Sequence, residues 1–126
     1  MPIYRLKVTT TGVGGSAVGS AVLPFDLPPC LLEAVKVDYH ASAPNTTDLT
    51  LVETKGLGRT LLTLANNATD GTYYPRHTTH DTAGADAGSK TPFVVEGPLQ
   101  VSLAQCDALI DAVTVDLLLV ENRNVD

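Results

Sequence analysis

Along most of this chain apolar and polar side chains alternate every second residue, the signature of strands that bury one face and wet the other. Few features constrain a fold more, because helices need a different period. Ile3, Leu6 and Val8 lead into Thr9, Thr10 and Thr11 before Gly12, Gly14 and Gly15 break the run. A second strand runs from Ala17 to Leu23 and stops at Pro24, and Phe25-Asp26-Leu27-Pro28-Pro29 follows as a stiff connector whose prolines cannot join a central ladder. Residues 1–30 thus read as two strands and a Pro-rich link. From Leu31 to Tyr39 the spacing predicts a longer strand, with Leu31, Val35, Val37 and Tyr39 on one face and Leu32, Ala34, Lys36, Asp38 and His40 on the other.

The same rhythm continues past the turn at Ala41–Thr47. Leu49 and Leu51 oppose Thr50 and Val52, Lys55-Gly56-Leu57-Gly58 forms a hairpin connection, and Arg59–Ala65 returns with Leu62 and Leu64 on one face. Phe93–Val95, the turn Glu96-Gly97-Pro98, and Leu99, Val101 and Leu103 against Gln100 and Ser102 make another pair. Val113, Val115, Leu117 and Leu119 against Thr114, Asp116 and Leu118 predict a C-terminal strand closing the sheet. Ser102–Val113 also fits a short helix with Leu103, Cys106, Leu109 and Ile110 on one stripe; alternation on both sides favours strand, turn and strand. About eight short strands with Gly and Pro turns predict an all-β fold, a single antiparallel β-sandwich or jelly-roll-like domain over residues 1–126.

One segment breaks the rhythm. Asn66 to Pro92 is polar and poor in apolar residues, so it reads as a long loop, and long loops in compact domains are commonly functional or disordered. It contains Tyr73-Tyr74-Pro75-Arg76, His77 and His80, followed by a flexible stretch rich in Gly and Ala. Tyr and Arg bury large area at limited entropic cost, which makes Tyr73, Tyr74 and Arg76 candidates for partner contact; the plainer reading packs one tyrosine on the core and exposes the other. His77-Thr78-Thr79-His80-Asp81 has metal-ligating residue types, yet His40 is the only other histidine and no helix fixes the two rings, so a solvated loop is the expectation. Asp70, Asp81 and Asp86 lack EF-hand spacing.

Composition narrows the function classes. A net charge of −6 with eight scattered Lys and Arg argues against tracking a phosphate backbone, so no nucleic-acid partner is expected. No apolar run approaches a bilayer span and the N-terminus lacks a basic-then-apolar leader, which predicts a soluble chain without an export signal and no membrane partner. Cys30 and Cys106 have no CxxC spacing and read as reduced, buried thiols, with a disulfide between them left open. Gly12-Val13-Gly14-Gly15-Ser16 lacks the Lys-Ser/Thr ending of a phosphate loop, and no Gly-x-Ser-x-Gly elbow is present. The expectation is a chain that is not an enzyme and uses no cofactor or metal.

The run from Leu31 through Val120, with Val37-Asp38-Tyr39-His40-Ala41, Thr47–Leu51, Leu61–Asn67 and Asp70-Gly71-Thr72-Tyr73-Tyr74-Pro75-Arg76, resembles small virion structural proteins of tailed bacteriophages, most closely head decoration (cement) proteins. The resemblance implies a protein made in the host cytoplasm that binds the outside of the assembled capsid. It further implies a homotrimer that bridges major capsid subunits and stabilises the head. On that reading the contacting elements are the N-terminal strand with Arg5 and Lys7, or the 66–92 segment with Tyr73, Tyr74, Arg76, His77 and His80. A tail or tail-fibre component and a carbohydrate- or receptor-binding β-sandwich are the alternatives.

Overall fold

A computed structural model describes residues 3–24 and 26–121; the expectations that touch Met1, Pro2, Phe25 and Arg123 lie outside them. The alternating segments form strands β1 (Ile3–Val8), β2 (Ala17–Val22), β3 (Cys30–Tyr39), β4 (Asp48–Glu53) and β5 (Thr60–Leu64). They continue as β6 (Gly71–Tyr73), β7 (Arg76–His80), β8 (Asp86–Val95), β9 (Leu99–Cys106) and β10 (Val113–Glu121). Every strand pair is antiparallel. One sheet runs β1-β10-β3-β8-β7, with β6 also on β3, and the other runs β2-β9-β4-β5.

This order has a simple origin. A long antiparallel ribbon pairs β1 with β10, β2 with β9, β3 with β8 and β4 with β5, and wrapping it brings β10 beside β3 and β9 beside β4. That is the two-Greek-key jelly roll, a β-sandwich in which the ribbon's own coiling makes both sheets.

The core lies between the sheets. Leu32, Val35, Val37, Val113, Val115, Leu117 and Leu119 from one sheet meet Leu49, Leu51, Leu99, Val101 and Leu103 from the other. Each such side chain gains about 1.5–3 kcal/mol from leaving water, which is why the period of two, once established, holds the register. Gly19 on β2 sits where the sheets turn a corner: a methyl group there would run into the Thr9 carbonyl oxygen. At the adjoining end of the sandwich, buried Thr10 ties the 9–16 and 107–112 loops together, its hydroxyl donating to the Asp107 carbonyl at 2.5 Å and accepting from the Leu109 N–H at 3.0 Å.

Two expectations need correction. The stretch 66–92 is not one long loop: β6, β7 and the outer half of β8 occupy it, which raises the strand count to ten. On β3, Leu32 is buried with Val35 and Val37, and Leu31 is only half-buried, because a bulge opposite Leu118/Leu119 inserts Glu33 and switches the faces midway. By contrast Ser102–Val113 is strand, turn and strand, with no helix.

Candidate partner-binding face

The two outer faces of the sandwich differ in charge. Across β2, β9, β4 and β5 two rows facing solvent read Val22, Gln100, Val52, Thr60 and Ser20, Ser102, Thr50, Thr63, all uncharged, and the next brings a single carboxylate, Asp48 beside Ala104. On the other sheet the cross-strand register aligns Arg5, Asp116, Lys36 and Thr72 in one row and Lys7, Thr114 and Asp38 in the next. Arg5 forks onto Asp116, Nε to Oδ1 at 2.7 Å and Nη2 to Oδ2 at 3.0 Å, and this hydrogen-bonded cation holds the Asp116 carboxyl below the usual carboxylate range. Lys36 is looser, 3.9 Å from Asp38.

Beside the charged rows lies an apolar one. Ile3, Leu118 and Ala34 are register partners across β1, β10 and β3, and Tyr74 extends the row beyond β6. They line a shallow trough of about 360 Å³ with Lys36, Thr72 and Asp116 on its rim. Its walls stand in solvent, Ile3 at 64% and Tyr74 at 62% exposure, whereas Ala34 at its floor is 8% exposed.

The route from β6 to β7 explains how Tyr74 gets there. Tyr73 turns toward the core and lies over Gly71, where an added Cβ would come within 3.1 Å of its hydroxyl, and Asn67 Nδ2 donates to that hydroxyl at 3.4 Å. Strand alternation then sends Tyr74 outward. Arg76 fastens the next strand down: Nη2 donates to Glu33 Oε1 at 3.0 Å and Nη1 to the Glu33 and Pro75 carbonyls at 3.2 and 2.9 Å. The bulge that inserts Glu33 into β3 therefore supplies the anchor for β7.

Beyond that anchor β7 and β8 form a ribbon. Among the described residues β8 pairs with β3 only through Phe93, Val94 and Val95, and β7 pairs only with β8. Residues 80–90 are all exposed. The ribbon holds itself together: Thr79 Oγ1 lies 2.7 Å from Ser89 Oγ, Asp81 Oδ1 accepts the N–H groups of Ala83 and Ala85, and Asp86 Oδ1 accepts that of Gly88. A two-stranded ribbon has at best marginal stability alone in water, so one that projects without cover is suited to ordering on a neighbour.

The structure sorts the residues singled out in the sequence. Arg5, Lys7 and Tyr74 stand on the exposed face, and His80 is exposed at the end of β7. Arg76, Tyr73 and His77 are partly buried braces; the His77 ring lies 5.0 Å from that of Phe93, centroid to centroid. His77 is partly buried against Phe93 while His80 stands exposed beyond a register shift in the β7–β8 pairing, and among the described residues no group of three or more His, Cys, Asp or Glu could hold a metal. Sequence reasoning passed over Ile3, Ala34, Lys36 and Leu118; the signal was Leu118 among polar neighbours on the outward face of β10. Neither a protein-family model nor a curated protein nor a solved structure matches this chain.

Proposed function

We propose that this chain is a non-enzymatic structural protein of a tailed-bacteriophage virion, a decoration protein that binds the outer surface of the assembled head and bridges its major capsid subunits. The observation that carries the reading is the β7–β8 ribbon, whose residues 80–90 are exposed throughout and which projects from a jelly-roll body. A sandwich held by buried Leu and Val rows is a stiff body, and an arm that orders on a neighbour links one capsid subunit to the next. Weak contacts repeated over a shell gain strength through multivalency, and a homotrimer at a local threefold position would present three arms from one assembly.

The test is sedimentation of the protein with purified, expanded heads stripped of decoration, beside a variant in which residues 81–85 are replaced by Asn-Gly. The intact protein is expected to pellet with heads at hundreds of copies per particle, and the shortened arm to lose most of that binding at unchanged melting temperature. Intact protein that stays in the supernatant would overturn the proposal in favour of a tail position or a glycan-binding module. Light scattering on the free protein tests the trimer.

A further inference from the structure

Among the described residues Arg5, Lys7, Lys36 and Arg76, half of the chain's Lys and Arg, gather around the outer face of the β1-β10-β3 sheet, against Glu33, Asp38 and Asp116. In a protein of net charge −6 this face is a cationic exception. Asp116 and Glu33 are committed to Arg5 and Arg76, and among the described residues Lys7 has no ion pair while Lys36 reaches Asp38 only at 3.9 Å. Lys36 therefore presents positive charge on the rim of a trough that is apolar at its floor and walls, and Lys7 stands two register rows along β1 from that floor.

We propose that this trough is a docking site for an extended acidic segment of a partner protein, carrying one large apolar anchor. The anchor seats on Ala34 and Leu118 between Ile3 and Tyr74, and the carboxylates beside it face Lys36 in the adjoining row, with Lys7 one row further along β1. At about 360 Å³ the trough is near the small end of ligand sites, so it suits a single side chain better than a whole cofactor. From β1 to β3 is two strand spacings of about 4.8 Å, and Tyr74 lies one further, so three or four extended residues cross the row. An aliphatic floor has no polar group to orient sugar hydroxyls, which disfavours an acidic glycan. The trough also adjoins the root of the β7–β8 ribbon through Tyr74 and Pro75, so a neighbour held by the arm would lie over it. The inference rests on the decoration reading for the source of the segment, an exposed stretch of a capsid subunit.

The experiment uses fluorescence anisotropy with the full chain and a fluorescein-labelled decapeptide of alternating Glu and Gly with one central Phe. Saturable binding is expected, weakened about tenfold or more by Tyr74→Ala, as for a buried aromatic anchor, and several-fold by the double variant K7E/K36E. It should also weaken as salt rises, with both variants melting like the parent. The proposal is overturned by absence of saturable binding, by equal binding of a probe lacking Phe or carrying Lys for Glu, or by displacement of the probe with an equimolar heparin hexasaccharide. The head assay separates the two claims. Parent protein that binds the probe but never joins heads removes the decoration reading and leaves the trough; heads that take up Tyr74→Ala as well as the parent, with no probe binding, do the reverse.

Discussion

Glu53 is the most exacting polar residue in the fold. It points inward from the end of β4 with 2% of its side chain exposed, and burying a carboxylate is tolerable only with charge and hydrogen bonds supplied on the spot. Arg59 supplies them: Nε to Oε1 at 2.7 Å, Nη2 to Oε2 at 3.0 Å, and its backbone N–H to Oε1 at 3.3 Å. The same Nη2 donates to the Val94 carbonyl at 2.6 Å, and the guanidinium carbon stands 5.2 Å from the centre of the Phe93 ring. Since Glu53 on β4 and Val94 on β8 belong to different sheets, Arg59, just ahead of β5, clips the sandwich shut along an open side. Its own pKa is raised, chiefly by the hydrogen bonds to Glu53.

Arg59→Met keeps the aliphatic stem and removes the fork, leaving the carboxylate one backbone donor. Removing one partner of a buried pair costs about 3–5 kcal/mol, a large share of the ~5–15 kcal/mol that holds a typical domain folded. At about 4 °C per kcal/mol for a chain of this size, the melting temperature should fall by about 12–20 °C. Arg59→Lys keeps the charge as a point donor, loses the two-pronged geometry, and should lie between. The double variant Glu53→Met/Arg59→Met removes the orphaned charge and should recover to within about 2 kcal/mol of the parent, since buried pairs exchange for apolar residues at little net cost. Urea unfolding followed by circular dichroism closes the cycle. A loss below about 1 kcal/mol in Arg59→Met, or a double variant no better than that single one, would refute the argument.

Other perturbations read other parts of the structure. Val115→Asp places a carboxylate at a position with 0% exposure and no cation beside it, so the variant should fail to fold; a cooperative melt near the parent's would contradict the face assignment of β10. Gly19→Ala drives a methyl group into the Thr9 carbonyl and should cost about 1–3 kcal/mol in urea unfolding, with an unchanged midpoint as the contrary result. Cys30 and Cys106 are both free and buried, and burial pushes the Cys30 thiol up, so Ellman's reagent should find no rapidly reacting thiol in native protein and two in denaturant. The Arg5–Asp116 pair has a pH signature. Because the folded Asp116 carboxyl titrates below its ordinary value, the pair's contribution is present above about pH 4 and fades as pH falls through the lowered value, so parent and Arg5→Ala stabilities should converge in acid. A gap that persists below that range would show that Arg5 acts by packing instead.

What the sequence revealed and what it hid follow from one physical cause. Period two is visible only where a strand buries one face, and the strands that line the core, such as β9 and β10, showed it residue by residue: Leu99, Val101 and Leu103, then Val113, Val115, Leu117 and Leu119. On β3 the pattern misled for half its length, because Glu33 enters as an extra residue and nothing in Leu31-Leu32-Glu33-Ala34 distinguishes a bulge from a slip of the eye along two adjacent leucines. The ribbon was invisible for a different reason. Residues 80–90 are exposed on both faces, so selection for a buried face leaves no imprint there, and a polar strand of Thr, Ala, Gly and Ser looks like a loop. The trough was partly legible: Tyr74 stood out by residue type, whereas Ile3, Ala34 and Leu118 meet only because three strands distant in sequence share a register. A segment that adopts strand geometry without an internal core to pack on derives its order from its own turn hydrogen bonds and, on the proposal made above, from the surface it binds. By the same reasoning its choice of Thr, Ser and His answers to the partner more than to the fold, so substitutions at 81–90 that leave the melting temperature alone should be read out on heads.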